Sequence, residues 1–197
     1  MTTITIDSKP RIEPLNKGKA ELQTWPVPLD EEFLEEFFTY LFETYWDQMV
    51  FGPLIEGAAY EFVAPRAPKS IRLFDGYLTV MFGDSHFHLC IGENEGPPND
   101  PTPAALRARR KPSKAQIFRR LDAQGHPISW GFEMWNGAGE PMISIFFASP
   151  FLEAGDRLTP EPKWEHLAMW RDISKRYLGR EPEALDEQGE GFARGHP

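Results

Sequence analysis

Apolar side chains recur at spacings of three and four between residues 30 and 50: Phe33, Leu34, Phe37, Phe38, Leu41, Phe42, Tyr45 and Met49. That period predicts a helix over 30–50 with one buried face. Asp30 stands at its N-cap, Glu31 and Glu32 suit the positive end of its dipole, and Gly52-Pro53 ends it. A weaker stripe (Trp164, Leu167, Trp170, Tyr177, Leu178) predicts a second helix from Pro160 to Leu178. Thr159 would cap it and Gly179 would stop it.

Between the helices the period changes to two. Residues 70–74, 77–82 and 86–91 read as three strands, turned at Asp75-Gly76 and at Gly83-Asp84-Ser85. Closing the first turn pairs Leu73 with Leu78 and Ile71 with Val80. Closing the second at Asp84-Ser85 pairs Phe82 with Phe87, Val80 with Leu89 and Leu78 with Ile91. These apolar residues then share one face, and Arg72, Thr79, Met81, His86, His88 and Cys90 share the other. A second meander runs over 115–121, 128–135 and 141–147, with turns at Asp122–Gly125 and Asn136–Gly139. Glu133 falls on one face with Ser129, Gly131, Met142 and Ser144, opposite Trp130, Phe132, Ile143 and Ile145.

The fold class expected is therefore α+β: an antiparallel sheet of about six strands, built from two meanders and packed by an N-terminal and a C-terminal helix. Residues 1–24 and 180–197 lack an apolar period and read as a flexible arm and a flexible tail around one domain over 25–179. The 197 residues include 19 Pro and 16 Gly, which argues against an all-helical bundle. No apolar run is long enough for a spanning helix. A single Cys excludes an intramolecular disulfide framework and fits a reducing, cytoplasmic compartment. The formal net charge of −9 opposes general nucleic-acid binding, which rests on phosphate neutralisation.

The chemistry concentrates in His86-Phe-His-Leu-Cys90. Alternate strand residues lie about 6.7 Å apart, so two imidazoles on one face can lean onto one ion through bonds of about 2.0 Å. Cys90 lies about 13 Å from His86 along a regular strand and takes a separate role. A further ligand must come from elsewhere. Glu133 is the first choice, provided both meanders share one sheet; Asp84 is the alternate. Two His and a carboxylate suit Zn, Fe or Mn, with Zn or Fe favoured. The competing reading is that His86 and His88 line a polar cleft and bind no metal. Arg107, Arg109, Arg110, Lys111, Lys114, Arg119 and Arg120 form a basic run between 101 and 121 without an acidic residue. Such a run can hold an anion, or else pair with the acidic face of helix 30–50 (Glu32, Glu35, Glu36, Glu43). The irregular stretch 92–103 leaves the His strand directly and could cover its polar face.

At His-Phe-His-Leu-Cys-Ile-Gly (86–92) and Ser-Trp-Gly-x4-Asn-Gly-x-Gly-Glu (129–140) the chain resembles a family of small uncharacterised bacterial proteins with heme- or metal-binding labels. The resemblance implies that His86 and His88 carry the function. A heme would take one of them as axial ligand and basic residues for its propionates, with Arg72 and Arg119 as candidates. The function expected is a metal-binding protein, with His86, His88 and Glu133 as ligands and Glu133 also as general base toward a small molecule. Non-covalent heme binding and a metal-free homodimer are the alternatives.

Overall fold

Asp30 caps the first helix: its carboxylate accepts the main-chain N–H of Phe33 at 2.9 Å. In the computed structural model, which describes residues 6, 8–15, 20–153, 155 and 157–191, the chain runs through β1 (Arg11–Leu15), β2 (Ala20–Pro26), α1 (Glu31–Tyr45), β3 (Met49–Gly52), β4 (Leu54–Ile55), β5 (Ala58–Ala59), β6 (Ser70–Phe74), β7 (Tyr77–Met81), β8 (His86–Cys90), α2 (Ala104–Arg110), β9 (Pro112–Leu121), β10 (Pro127–Asn136), β11 (Pro141–Phe147), β12 (Leu152–Glu153), β13 (Arg157–Leu158) and α3 (Ala168–Leu178). Helix α1 is shorter than its apolar period, because Met49–Gly52 leaves the helix to become a strand. Helix α3 also starts late, after a 3₁₀ turn over Trp164–Leu167, and Gly179 ends it in the left-handed region (φ 61°). Thr159 does not cap it; its hydroxyl donates to the Pro150 carbonyl.

The architecture is α+β with a six-stranded antiparallel sheet in the order β1-β2-β9-β10-β11-β3. Its make-up differs from the two-meander expectation. Strands β6, β7 and β8 form a separate three-stranded sheet, and residues read as an arm supply β1 and β2. Strand β2 pairs with β9 through Thr24 opposite Phe118 and Trp25 opposite Ile117. The expected arm (1–24) and tail (180–197) lie partly outside the described residues, at 1–5, 7, 16–19 and 192–197. Where they are described, β1, β2 and a 3₁₀ turn over Ala184–Glu187 replace them.

Main-chain contacts divide the chain into two compact units. The first comprises residues 1–26, 116–132 and 146–197. Its interior holds Trp25, Trp130 and Trp170, with the Trp25 and Trp170 rings 5.7 Å apart. Beside them lies the guanidinium of Arg119, a residue 2% exposed. It donates to Asp186 Oδ1 at 2.6 Å, to Glu183 Oε2 at 3.0 Å and to Gln23 Oε1 at 2.7 and 3.0 Å. Burial pushes the Glu183 carboxyl up, but hydrogen bonds from Arg180 and Arg119 outweigh it and hold the group below its ordinary range. Arg119, expected as a cofactor anchor, is thus committed to fastening residues 183–186. The second unit comprises residues 27–115 and 133–145 and carries α1, β3 to β8 and α2. Its core is Leu34, Phe37, Phe38, Leu41 and Phe42 of α1 with Leu78, Val80, Phe82 and Leu89.

Removing one partner of a buried pair leaves an uncompensated charge, so Arg119→Ala or Asp186→Ala should each cost about 3–5 kcal/mol. Urea unfolding checks this. A loss below about 1 kcal/mol, the scale of an exposed ion pair, would show that the cluster does not hold the segment.

Candidate functional site

The site is built on the sheet β6-β7-β8. Asp75 and Gly76 turn the first hairpin with φ of 47° and 75°, and Leu73 pairs with Leu78 and Ile71 with Val80, as the alternation predicts. The second hairpin departs from expectation. Phe82 N–H donates to Ser85 O at 2.9 Å, so Val80 pairs with Phe87 and Leu78 with Leu89, two residues from the register read off the sequence. Gly83 decides it: at φ 111° it fills the first central position of the turn, which the other register would place in the ladder. A two-residue slip preserves the faces. His86 and His88 still project together on the exposed side, with ring centroids 5.0 Å apart. Thr79, opposite His88 in the ladder, places its hydroxyl 2.7 Å from His88 Nδ1.

Beside β8 lies a cleft of about 320 Å³. Ser85, His86, Phe87, His88 and Leu89 form one wall; Phe51, Gly52, Pro53, Tyr60, Phe62, Phe82, Met142 and Ile143 complete the lining. Its base is a ring cluster. Phe42 of α1 packs 5.0 Å from Phe51 and 5.3 Å from Phe87, and Phe51 packs 5.3 Å from Phe62 and 5.4 Å from Phe87. The backbone approach is close: a Cβ on Gly52 would stand 1.8 Å from Tyr60 O, so glycine is required there. At the mouth Tyr60 is 65% exposed and Phe62 37%.

Among the described residues no group of three His, Cys, Asp or Glu gathers as a metal site. Glu133 therefore does not join His86 and His88. That placement required one shared sheet, whereas β10 and β8 belong to different sheets. Glu133 sits half-buried on β10 and does not line the cleft. Arg72 is exposed on β6, opposite Thr79, which in turn pairs with His88, so the three form a row. The stretch 92–103 is tied to the far end of the hairpin rather than to the His end. The Asp75 carboxylate accepts from Asn94 Nδ2 and Glu95 N–H, both at 2.7 Å, and from Gly96 N–H at 3.1 Å. Asn94 Oδ1 accepts from Arg110 Nη1 at 2.6 Å and from Thr102 Oγ1 at 3.2 Å. The basic run is shared out locally. Lys111 reaches Glu93 at 2.9 Å and Arg109 reaches Glu140 at 3.0 Å, pairings other than those with α1 that the sequence suggested. Lys111 holds the Glu93 carboxyl below its ordinary range, and Asn136 and Arg109 do the same for Glu140.

The sequence model of a family of unknown function, DUF7676, matches residues 11–179. The chain belongs to DUF7676. The match takes in β1 through the end of α3, and so includes the His strand and the cleft. The family description carries no heme or metal label. Comparison with curated proteins finds none that matches. Among the described residues of this DUF7676 chain, no helix is long and apolar enough to cross a membrane.

The cleft residues Phe51, Tyr60 and Phe62 went unmarked in the sequence, whereas Met142 was placed on the face of the second meander that carries Glu133. The available signal was Met49-Val-Phe-Gly52, whose alternation is a strand's, hidden by its position at the end of a helical period.

Cys90 lies apart from the cleft. Its thiol is buried and its Sγ donates to the Gly92 carbonyl at 3.6 Å. Burial pushes its pKa up, which suppresses the reactive thiolate. Folded DUF7676 protein should therefore react with a disulfide reagent about a hundredfold more slowly than in denaturant. A thiol-release assay in both conditions checks this; equal rates would place Cys90 at the surface.

Proposed function

We propose that the protein is a binding module whose cleft beside β8 takes a compact apolar group, with His86 and His88 at the rim to meet a polar or anionic end. One observation carries this reading: the same strand presents the Phe87 ring to a ring-lined cavity and two exposed imidazoles to its edge. Small-molecule sites are mostly apolar with a few placed polar groups, and run from about 300 to 1,000 Å³. The cleft is at the low end, which favours a single ring or short aliphatic group over a porphyrin. The heme reading also lacks Arg119, which is held by Asp186 and Glu183. An acidic chain with one Cys suits a small-molecule ligand rather than nucleic acid, in a reducing, cytoplasmic compartment.

A second reading has its own support. Metal–nitrogen bonds of about 2.0–2.1 Å put two imidazole centres on the order of 5 Å apart around a tetrahedral ion, and the His86 and His88 rings are 5.0 Å apart. The Thr79 hydroxyl can fix the His88 tautomer so that Nε2 faces outward, as outer partners of ligating histidines do. The pair would hold a divalent ion with open positions, filled by the bound molecule or by water.

Anilinonaphthalene sulfonate, which joins fused rings to an anionic end, tests the first reading. It should bind one per chain, and Met142→Trp, which fills the cleft from a half-buried position, should weaken it about tenfold or more with the circular dichroism unchanged. Undiminished binding to that variant would remove the cleft from the function.

For the second reading, untagged protein titrated with Zn²⁺ should bind one ion with a Kd on the order of micromolar. His88→Ala should abolish this and Thr79→Val should weaken it about tenfold. Binding that survives His88→Ala would end the metal reading.

A further inference from the structure

The wall of the cleft is a strand edge, and its hydrogen-bonding pattern can be read. Ser85 O accepts from Phe82 N–H, and Ile91 N–H donates to Gly76 O. Odd-numbered residues along this stretch therefore turn their main-chain groups toward β7. In an antiparallel ladder the alternate residues turn theirs away, so the N–H and C=O of His86 and His88 face outward. Strand β8 is the last of its sheet. Among the described residues, no hydrogen bond reaches those four groups. Five consecutive residues, 85–89, line the cleft although their side chains alternate between faces; what all five share is this edge.

We infer that the edge of β8 takes an extended peptide as a fourth, antiparallel strand, with one bulky apolar side chain of the peptide in the phenylalanine cleft and acidic side chains beside His86 and His88. This deepens the reading of the cleft as an apolar binding site and rests on it. Two free donors and two free acceptors, about 6.8 Å apart in pairs, are the complement of an extended backbone. Residues of the added strand opposite His86 and His88 exchange the hydrogen bonds, and their side chains join the face of those imidazoles. The residue between them stands opposite Phe87 and points to the ring-lined side. Charge fits the same register. The face of β6, β7 and β8 that carries His86 and His88 also carries Arg72 and no carboxylate, in a chain of net charge −9. Tyr60 and Phe62, exposed at the mouth, extend the apolar surface for a ligand longer than the cavity.

The test is calorimetry on the full chain with the blocked pentapeptide acetyl-Thr-Glu-Phe-Glu-Thr-amide, with amide NMR of His86 and His88. The peptide should bind and shift both amides. N-methylation of either Glu, whose N–H faces β8, should cost about tenfold, while N-methylation of the Phe should change affinity within about threefold. Replacing both Glu by Lys should also cost about tenfold. If all the methylated peptides bind alike, the side chain alone is recognised and strand addition is overturned. If no peptide binds while anilinonaphthalene sulfonate still binds and Met142→Trp still blocks it, the cleft reading stands and this inference falls. If the dye fails as well, both fall. Sedimentation of the chain alone completes the set: a dimer with the His86 and His88 amides protected from exchange would make a second copy the occupant and overturn the proposal.

Discussion

The cleft beside β8 depends on one packed ring. Phe42, fully buried on α1, lies within 5.0–6.2 Å of Phe51, Phe82 and Phe87. It thus joins a strand of the six-stranded sheet to the two sides of the β7–β8 turn. Burying a phenylalanine contributes about 1.5–3 kcal/mol, and edge-to-face contacts such as Phe42–Phe51 (83°) add about 0.5–1.5 kcal/mol each. The geometric consequence matters more. The rings hold β3 and β8 side by side without letting their backbones pair. The gap left over is the cleft, and its wall is an unpaired edge. A smaller residue at position 42 would let the rings settle and narrow that gap.

How much of this the sequence discloses depends on how local the cause is. Asp30 and the three-and-four spacing of α1 act within one helix, and the helix begins where they put it, although it stops at Tyr45. Asp75-Gly76 fixes a hairpin by its own φ values, and the first register follows. The second register slips because two turn positions were open to Gly83, Asp84 and Ser85, and only the left-handed requirement separates them. The shared face of His86 and His88 survives because strand parity is insensitive to a shift of two. Glu133 fails for the opposite reason. Its placement needed knowledge of which strands share a sheet, which is a property of the whole chain. Strands β1 and β2 escaped notice because Pro10, Pro14 and Pro26 break the alternation, and because partners such as Phe118 lie almost a hundred residues away.

Charged side chains tell a similar story. Spaced along the chain, the basic residues from 107 to 120 look like one patch for an anion. Folded, they are distributed among separate tasks. Lys111 and Arg107 meet Glu93, Arg109 meets Glu140, Arg110 fastens Asn94, and Arg119 is buried against Asp186. Alternation along β9 and the turn at α2 send neighbours in sequence to different surroundings. The exposed pairs contribute little to stability. The Arg119 cluster is of another kind, since its charges are shut away from water and each partner depends on the others.

The edge of β8 closes the argument. Unpaired strand edges invite association with other chains, and proteins commonly blunt them with proline, lysine, a bulge or a covering loop. Strand β8 has neither proline nor lysine, and its register with β7 is regular over all five pairs. The loop that follows is drawn to the Asp75 end and leaves the His86 end uncovered. What stands beside the edge instead is the cleft, lined also by Tyr60, Phe62 and Met142. The occupant proposed for this edge, a single extended chain, is the partner that such a flanked edge suits better than a broad sheet. The rings packed between β8 and β3 therefore accompany an edge that is left unpaired, which is the feature the proposed partner would use.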